Sequence, residues 1–140
     1  MDNGTIKIVA ALICDDAGRV LLVRKRGTTA FMQPGGKRDP GEDDTAALSR
    51  EIAGELGCGV IRASIRPLGE FDAIAANEHG WRVQASLYGI DVIGEIAPSR
   101  EIDETIWIDP VAPPDIPLAP LTREHVVPLA SMKRVAGNAR

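Results

Sequence analysis

Hydrophobic and polar positions divide this chain into several short apolar runs and two amphipathic stretches. Residues 5–14 (TIKIVAALIC) and 20–23 (VLLV) are apolar on both alternating faces, as expected of central strands covered on two sides. Asp15-Asp16-Ala17-Gly18 between them is a turn signal. Phe31-Met32-Gln33 reads as a short strand feeding a Pro34-Gly35-Gly36 turn. From Asp44 to Leu56 the spacing becomes helical: Leu48, Ile52 and Leu56 recur every four residues, and Gly57 is a favourable stop.

Two further strands are expected over residues 61–73, interrupted at Pro67, and residues 81–93. In the second, Val83, Ala85 and Leu87 alternate with polar neighbours, and the phase flips after Gly89, which predicts a bulge there. A short edge-like strand surrounds Trp107, and five prolines between Pro110 and Pro120 predict an irregular segment. A last helix is expected from Arg123 to about Ala136, with Thr122 as its N-cap and Leu121 packed against Val126. Pro128 lies beyond the first turn and should kink it.

Strands with one helix inserted and one appended predict an α/β fold, and 140 residues without a repeat predict one domain over 1–140. A net charge of −4 argues against general nucleic-acid binding through a basic surface. No apolar run approaches a membrane span, so no membrane association is expected. The N-terminus lacks a basic segment followed by an apolar run, so no signal peptide is expected. Cys14 and Cys58 lie in apolar surroundings and read as buried free thiols of a reducing compartment, the cytoplasm. His79 and His125 have no partner spacing and read as surface residues.

Candidate chemistry concentrates in residues 35–58, GGKRDPGEDDTAALSREIAGELGC. Glu51 and Glu55, four residues apart, share one helix face away from the apolar stripe. By themselves they fit either a solvated acidic face or a cage for a hard divalent cation, which takes oxygen ligands. The wider spacing closely resembles the Nudix box: Gly, five residues, Glu, seven residues, Arg-Glu, an aliphatic residue, any residue, Glu-Glu, any residue, Gly and an aliphatic residue. Gly36, Glu42, Arg50, Glu51, Ile52, Glu55 and Gly57 match it, and Pro34-Gly35 and Pro40-Gly41 look like its usual surroundings. Cys58 replaces the final aliphatic residue, and Gly54 stands where the family has the first glutamate of its Glu-Glu pair.

The resemblance, to MutT-like Nudix hydrolases, implies an αβα sandwich with a mixed central sheet. It implies hydrolysis of the pyrophosphate bond in a nucleoside diphosphate linked to another moiety, with Mg²⁺ or Mn²⁺. On the matching positions it makes Glu51 and Glu55 metal ligands and Arg50 the residue that orients a glutamate. Glu42 becomes an outer glutamate with a mainly structural and partly metal-related role. Gly35 and Gly36 would let the backbone approach the metal closely. Glu101, six residues before Trp107, fits the place of a further loop carboxylate that ligates metal or serves as general base, with Asp103 and Glu104 as nearby substitutes. Arg24, Phe31, Gln33, Arg82 and Gln84 are the side chains expected to line a substrate cleft beside the box, and Arg24-Lys25-Arg26 is a cluster suited to phosphate. The expected partner is a nucleotide-type small molecule, with a homodimer possible. The loss at Gly54 leaves a second reading open, a catalytically impaired Nudix-fold module that binds a nucleotide or regulates a partner.

Overall fold

Alternation along the first two strands builds two cores at once. The computed structural model describes residues 3–138, with side chains through residue 133. Strand β1 (Gly4–Ile13) sends Ala10 and Leu12 into one core and Val9, Ala11 and Ile13 into the other. Strand β2 (Val20–Lys25) divides its residues likewise, Val20 and Leu22 against Leu21 and Val23. Helix α1 (Asp44–Leu56) closes the second core with Ala47, Leu48, Ile52 and Leu56. The C-terminal helical segment closes the first with Leu121, Val126, Val127 and Ala130. The sheets thus lie between helices, the αβα arrangement expected from the doubly apolar strands.

Hydrogen bonding divides the strands among separate sheets rather than one continuous layer. The larger has the order β4-β1-β7-β6, with β4 at Gly35–Gly36, β6 at Arg66–Ile74 and β7 at Trp81–Ile90. It is mixed, since β1 and β7 run parallel while β4 and β6 pair antiparallel with their neighbours. The second has the order β3-β2-β9, from β3 (Phe31–Met32) and β9 (Ile102–Ile108), and β5 (Gly59–Val60) pairs with β8 (Val92–Ile93). β4 touches β1 only at Val9↔Gly36 and Ala10↔Gly35. Among the described residues, the earlier part of β1 has no strand neighbour on that side, and a gap opens between the sheets.

Several expectations change. The strand expected from residue 61 begins at Arg66, after a 3₁₀ turn at Arg62–Ser64. The irregularity expected at Gly89 lies instead in β6, between Pro67 and Gly69, while β1 and β7 stay in register from Gly4↔Trp81 to Ile13↔Ile90. Proline has no N–H for a ladder, and β6 is an edge strand, where that loss is tolerated. The last helix starts at Pro120, favoured at a first helical position, so Thr122 is not its N-cap but a buried residue of its first turn. The kink expected at Pro128 takes the form of a π turn over Thr122–Val126, continuing into α2 (Val127–Asn138), with the Val127 N–H bonded to the Thr122 carbonyl. Pro128 has no N–H to offer the Glu124 carbonyl, which removes one ordinary helical bond at this point. Cys58 is buried, but Cys14 is exposed where β1 gives way to the turn. His125 is half-buried and stacked on Phe71. No helix among the described residues is long and apolar enough to cross a membrane.

Candidate active site

Helix α1 is fixed at both ends by its own sequence. Asp43 caps it, accepting a hydrogen bond from the Ala46 N–H at 2.8 Å. Gly57 ends it in the left-handed conformation, φ 67°, with its N–H on the Ala53 carbonyl. The register that buries Leu48, Ile52 and Leu56 also turns Glu55 inward, leaving it only 4% exposed. β4 crosses in front of this carboxylate, and the Gly35 N–H donates to Glu55 Oε1 at 3.2 Å.

Both glycines of β4 are required by space. Gly35 has φ 144°, and a Cβ there would meet the Val9 carbonyl oxygen at 2.2 Å. A Cβ on Gly36 would stand 2.6 Å from the carboxyl carbon of Glu51. The chain therefore passes between β1 and the α1 carboxylates only because neither residue has a side chain.

Arg50 organises the loop in front of the helix. Its guanidinium donates to both oxygens of Glu42 at 2.7 and 2.8 Å, to Glu51 Oε1 at 2.9 Å and to the Lys37 carbonyl at 2.9 Å. Such forked, charge-assisted bonds fix orientation as well as contributing energy. Arg50 and the Asp39 N–H hold the Glu42 carboxyl down to about 2. Arg50 itself is pushed above its ordinary value by Glu42 and Glu51.

The gap between the sheets is a cavity of about 380 Å³. Four acidic residues, Glu51, Glu55, Glu78 and Glu101, line it together with Lys25 and Lys37. Ile6, Ile8, Val83 and Leu121 form an apolar portion. Burial pushes the Glu55 carboxyl up to about 7, against the opposing pull of the Gly35 N–H and Lys25, while Glu51 and Glu101 add repulsion.

Of the expected site residues, Gln33, Gly36, Glu51, Glu55 and Glu101 meet in this cavity. Arg50 sits behind Glu51 as a positioning residue. Glu42, expected as an outer glutamate with a partly metal-related role, lies outside the cavity lining, and Arg50 donates to both of its oxygens. Four expected cleft residues also lie outside the lining. Arg24 is taken up by Glu104 at 2.9 Å and the Thr28 carbonyl, Phe31 is buried in the first core, and Arg82 pairs with Asp72 at 2.7 Å. Gln84 follows the same alternation as Ser86 and Tyr88, whose hydroxyls meet Arg38 and Asp44 on the α1 side of the sheet. Lys37, Asn77 and Glu78 line the cavity without having been singled out, as do Lys25 and Leu121, which were named only in the basic cluster and as a helix contact. For Lys25 the Arg24-Lys25-Arg26 triplet was the available signal.

Among the described residues, no three acidic, histidine or cysteine side chains stand ready as a closed metal cluster. The donor set nevertheless fits a hard cation. Glu51, Glu55, Glu78 and Glu101 line one cavity, the Gly35 N–H donates to the buried Glu55, and the glycine cradle at Gly36 keeps the backbone close to Glu51.

An αβα sandwich whose inserted helix turns carboxylates toward a glycine strand defines a Nudix-type domain. The NUDIX domain model matches residues 5–129, and the chain belongs to the Nudix family. The 8-oxo-dGTP diphosphatase of Haemophilus influenzae is 32% identical over 76 residues, covering 51% of this chain and 56% of that protein. The match thus spans little more than half the length of that relative. The MutT NUDIX hydrolase from Burkholderia pseudomallei superposes with a TM-score of 0.71 at 27% identity, covering 91% of this chain and 96% of that one. A UDP-X diphosphatase gives 0.74 at 20% identity, over 96% of this chain and 64% of that one, a likeness of fold alone.

Proposed function

We propose that the protein is a divalent-cation-dependent pyrophosphohydrolase acting on a nucleoside diphosphate linked to another group. The observation that carries this is the meeting of Glu51, Glu55 and Glu101 with Lys25 and Lys37 in one cavity beside an apolar pocket. Glu51 and Glu55 would hold Mg²⁺ or Mn²⁺, with Glu101 as the third carboxylate, either a ligand or the acceptor of the attacking water's proton. When bound, such a cation neutralises phosphate oxygens and makes water a better nucleophile. Lys25 and Lys37 draw the polyphosphate in, and Arg50 keeps Glu51 in place. Water oxygen bonds to phosphorus, the bridging P–O bond breaks, and the proton passes to a carboxylate. The apolar walls receive the base, and residues 1–140 act as one unit in the cytoplasm. The relative's named substrate, 8-oxo-dGTP, falls within this class.

The test is phosphate and pyrophosphate release from a panel of nucleoside triphosphates and nucleotide sugars, with Mg²⁺, Mn²⁺ or chelator. Glu51→Gln and Glu55→Gln should each lower turnover by at least about a hundredfold while the protein still melts cooperatively. Turnover unaffected by chelator, or no turnover across the panel, would overturn the assignment.

A further inference from the structure

Buried polar side chains are costly unless they are bonded, and among the described residues only Gln33, Glu55 and Thr122 are both polar and buried. Glu55 belongs to the carboxylate group, but Gln33 and Thr122 do not. Gln33 is 6% exposed and Thr122 fully buried, and the Thr122 hydroxyl donates to Gln33 Oε1 at 2.7 Å. That bond uses the carbonyl end of the amide. Among the described residues the amide nitrogen has no hydrogen-bond partner, and no fully buried side-chain nitrogen or oxygen lacks one. Gln33 lines the cavity between the sheets, and its NH₂ is the end of the amide left for that space. The same cavity is lined by the apolar side chains of Ile6, Ile8, Val83 and Leu121, and also by the polar Lys25, Asn77 and Glu78.

We infer that Gln33, held by Thr122, is a specificity-determining residue that selects nucleotides whose base presents a carbonyl oxygen over those presenting an amino group at the same position. The inference rests on the nucleotide-hydrolase function proposed above. An amide NH₂ is a donor only. A base oxygen completes it, whereas an exocyclic amino group sets donor against donor and leaves both unpaired in a desolvated pocket. Apolar walls accept the ring face of any base and so do not discriminate, which leaves a choice to a polar group held in place, as the Gln33 amide is by Thr122. Thr122 matters because its hydroxyl keeps the carbonyl of the amide turned away from the cavity. Without it the amide can rotate and present either end.

The experiment measures kcat/KM for two pairs that differ at this position, dGTP against dATP and dUTP against dCTP, in wild type, Gln33→Leu and Thr122→Val. Wild type should favour the oxo member of each pair by about tenfold or more. Gln33→Leu should bring the ratios close to one, and Thr122→Val should lower them partway. A ratio is unchanged by simple loss of folded protein, so a structural role alone would not move it. Dissociation constants of non-hydrolysable α,β-methylene analogues of dGTP and dATP, measured on Glu55→Gln, report the same preference without turnover. Failure of the hydrolase function would thus appear as selective binding without hydrolysis. A wild-type ratio near one, a preference for the amino bases, or ratios indifferent to both substitutions would overturn the role of Gln33.

Discussion

Glu55 gives the sharpest quantitative test of the site, and it requires no substrate. Its carboxyl is 4% exposed and is raised from an ordinary 4.5 to about 7. In the unfolded chain it ionises near its ordinary value, so between these two values the native state binds more protons. Stability is therefore intact below about pH 4.5, declines as pH rises toward 7 and levels off above it. The interval corresponds to about 3 kcal/mol, or roughly 10 °C in melting temperature for a chain of this size. Glu55→Gln keeps an acceptor for the Gly35 N–H and does not titrate. In chelator, the variant should match wild type in mild acid and exceed it by about 3 kcal/mol at pH 8. The carboxylates of Asp15, Glu42, Asp44 and Asp72 are pulled below their ordinary values, and their stabilisation is lost only in stronger acid. Urea denaturation from pH 5 to pH 8 in EDTA measures the difference. Excess Mg²⁺ should stabilise wild type at pH 8 more than at pH 5, because a proton and a cation compete for the same carboxylate. Parallel pH profiles for the two proteins would refute the burial argument.

A Cβ at Gly54 would meet nothing within 4 Å, so Gly54→Ala should raise stability by about 1 kcal/mol in thermal or urea melts. Gly54→Glu should lower the Mg²⁺ midpoint of hydrolysis by adding a carboxylate beside Glu51 and Glu55, and an unchanged midpoint would place residue 54 away from the cation. Gly36→Ala puts a methyl 2.6 Å from the Glu51 carboxyl carbon, and a Mg²⁺ titration should show metal affinity falling roughly tenfold to a hundredfold. Glu101→Ala should lower turnover at saturating Mg²⁺ far more than Glu104→Ala, since Glu101 lines the cavity and Glu104 pairs with Arg24. The reverse order would transfer the role.

What could be read from the sequence was set by how local each cause is. Helix α1 was legible over Asp44–Leu56 because its apolar stripe and Gly57 stop lie within a few positions of one another, although the Asp43 cap was not singled out. The doubly apolar β1 and β2 likewise announced a covered sheet. Choosing between Arg24 and Lys25 needed something else: which face of β2 meets the cavity, a matter of pairing with β9 some eighty residues away, where Glu104 claims Arg24. Strand alternation proposes two opposite sets of side chains and cannot say which set faces a ligand.

Thr122 shows the same limit from the other side. Its sequence neighbourhood, a small hydroxyl residue ahead of a helical pattern, predicts an N-cap. Pro120 instead starts the helix two residues earlier, and the absent N–H of Pro128 accompanies a π turn at Thr122–Val126. Together these turn the hydroxyl inward, onto the amide of Gln33, 89 residues earlier in the chain. Alone, Gln33 reads as one of several cleft candidates and Thr122 as a cap. The box helix could be read because its glutamate spacing is written in a single turn, whereas the Gln33–Thr122 pair is assembled from two segments that share nothing until the sheets and the last helix have packed.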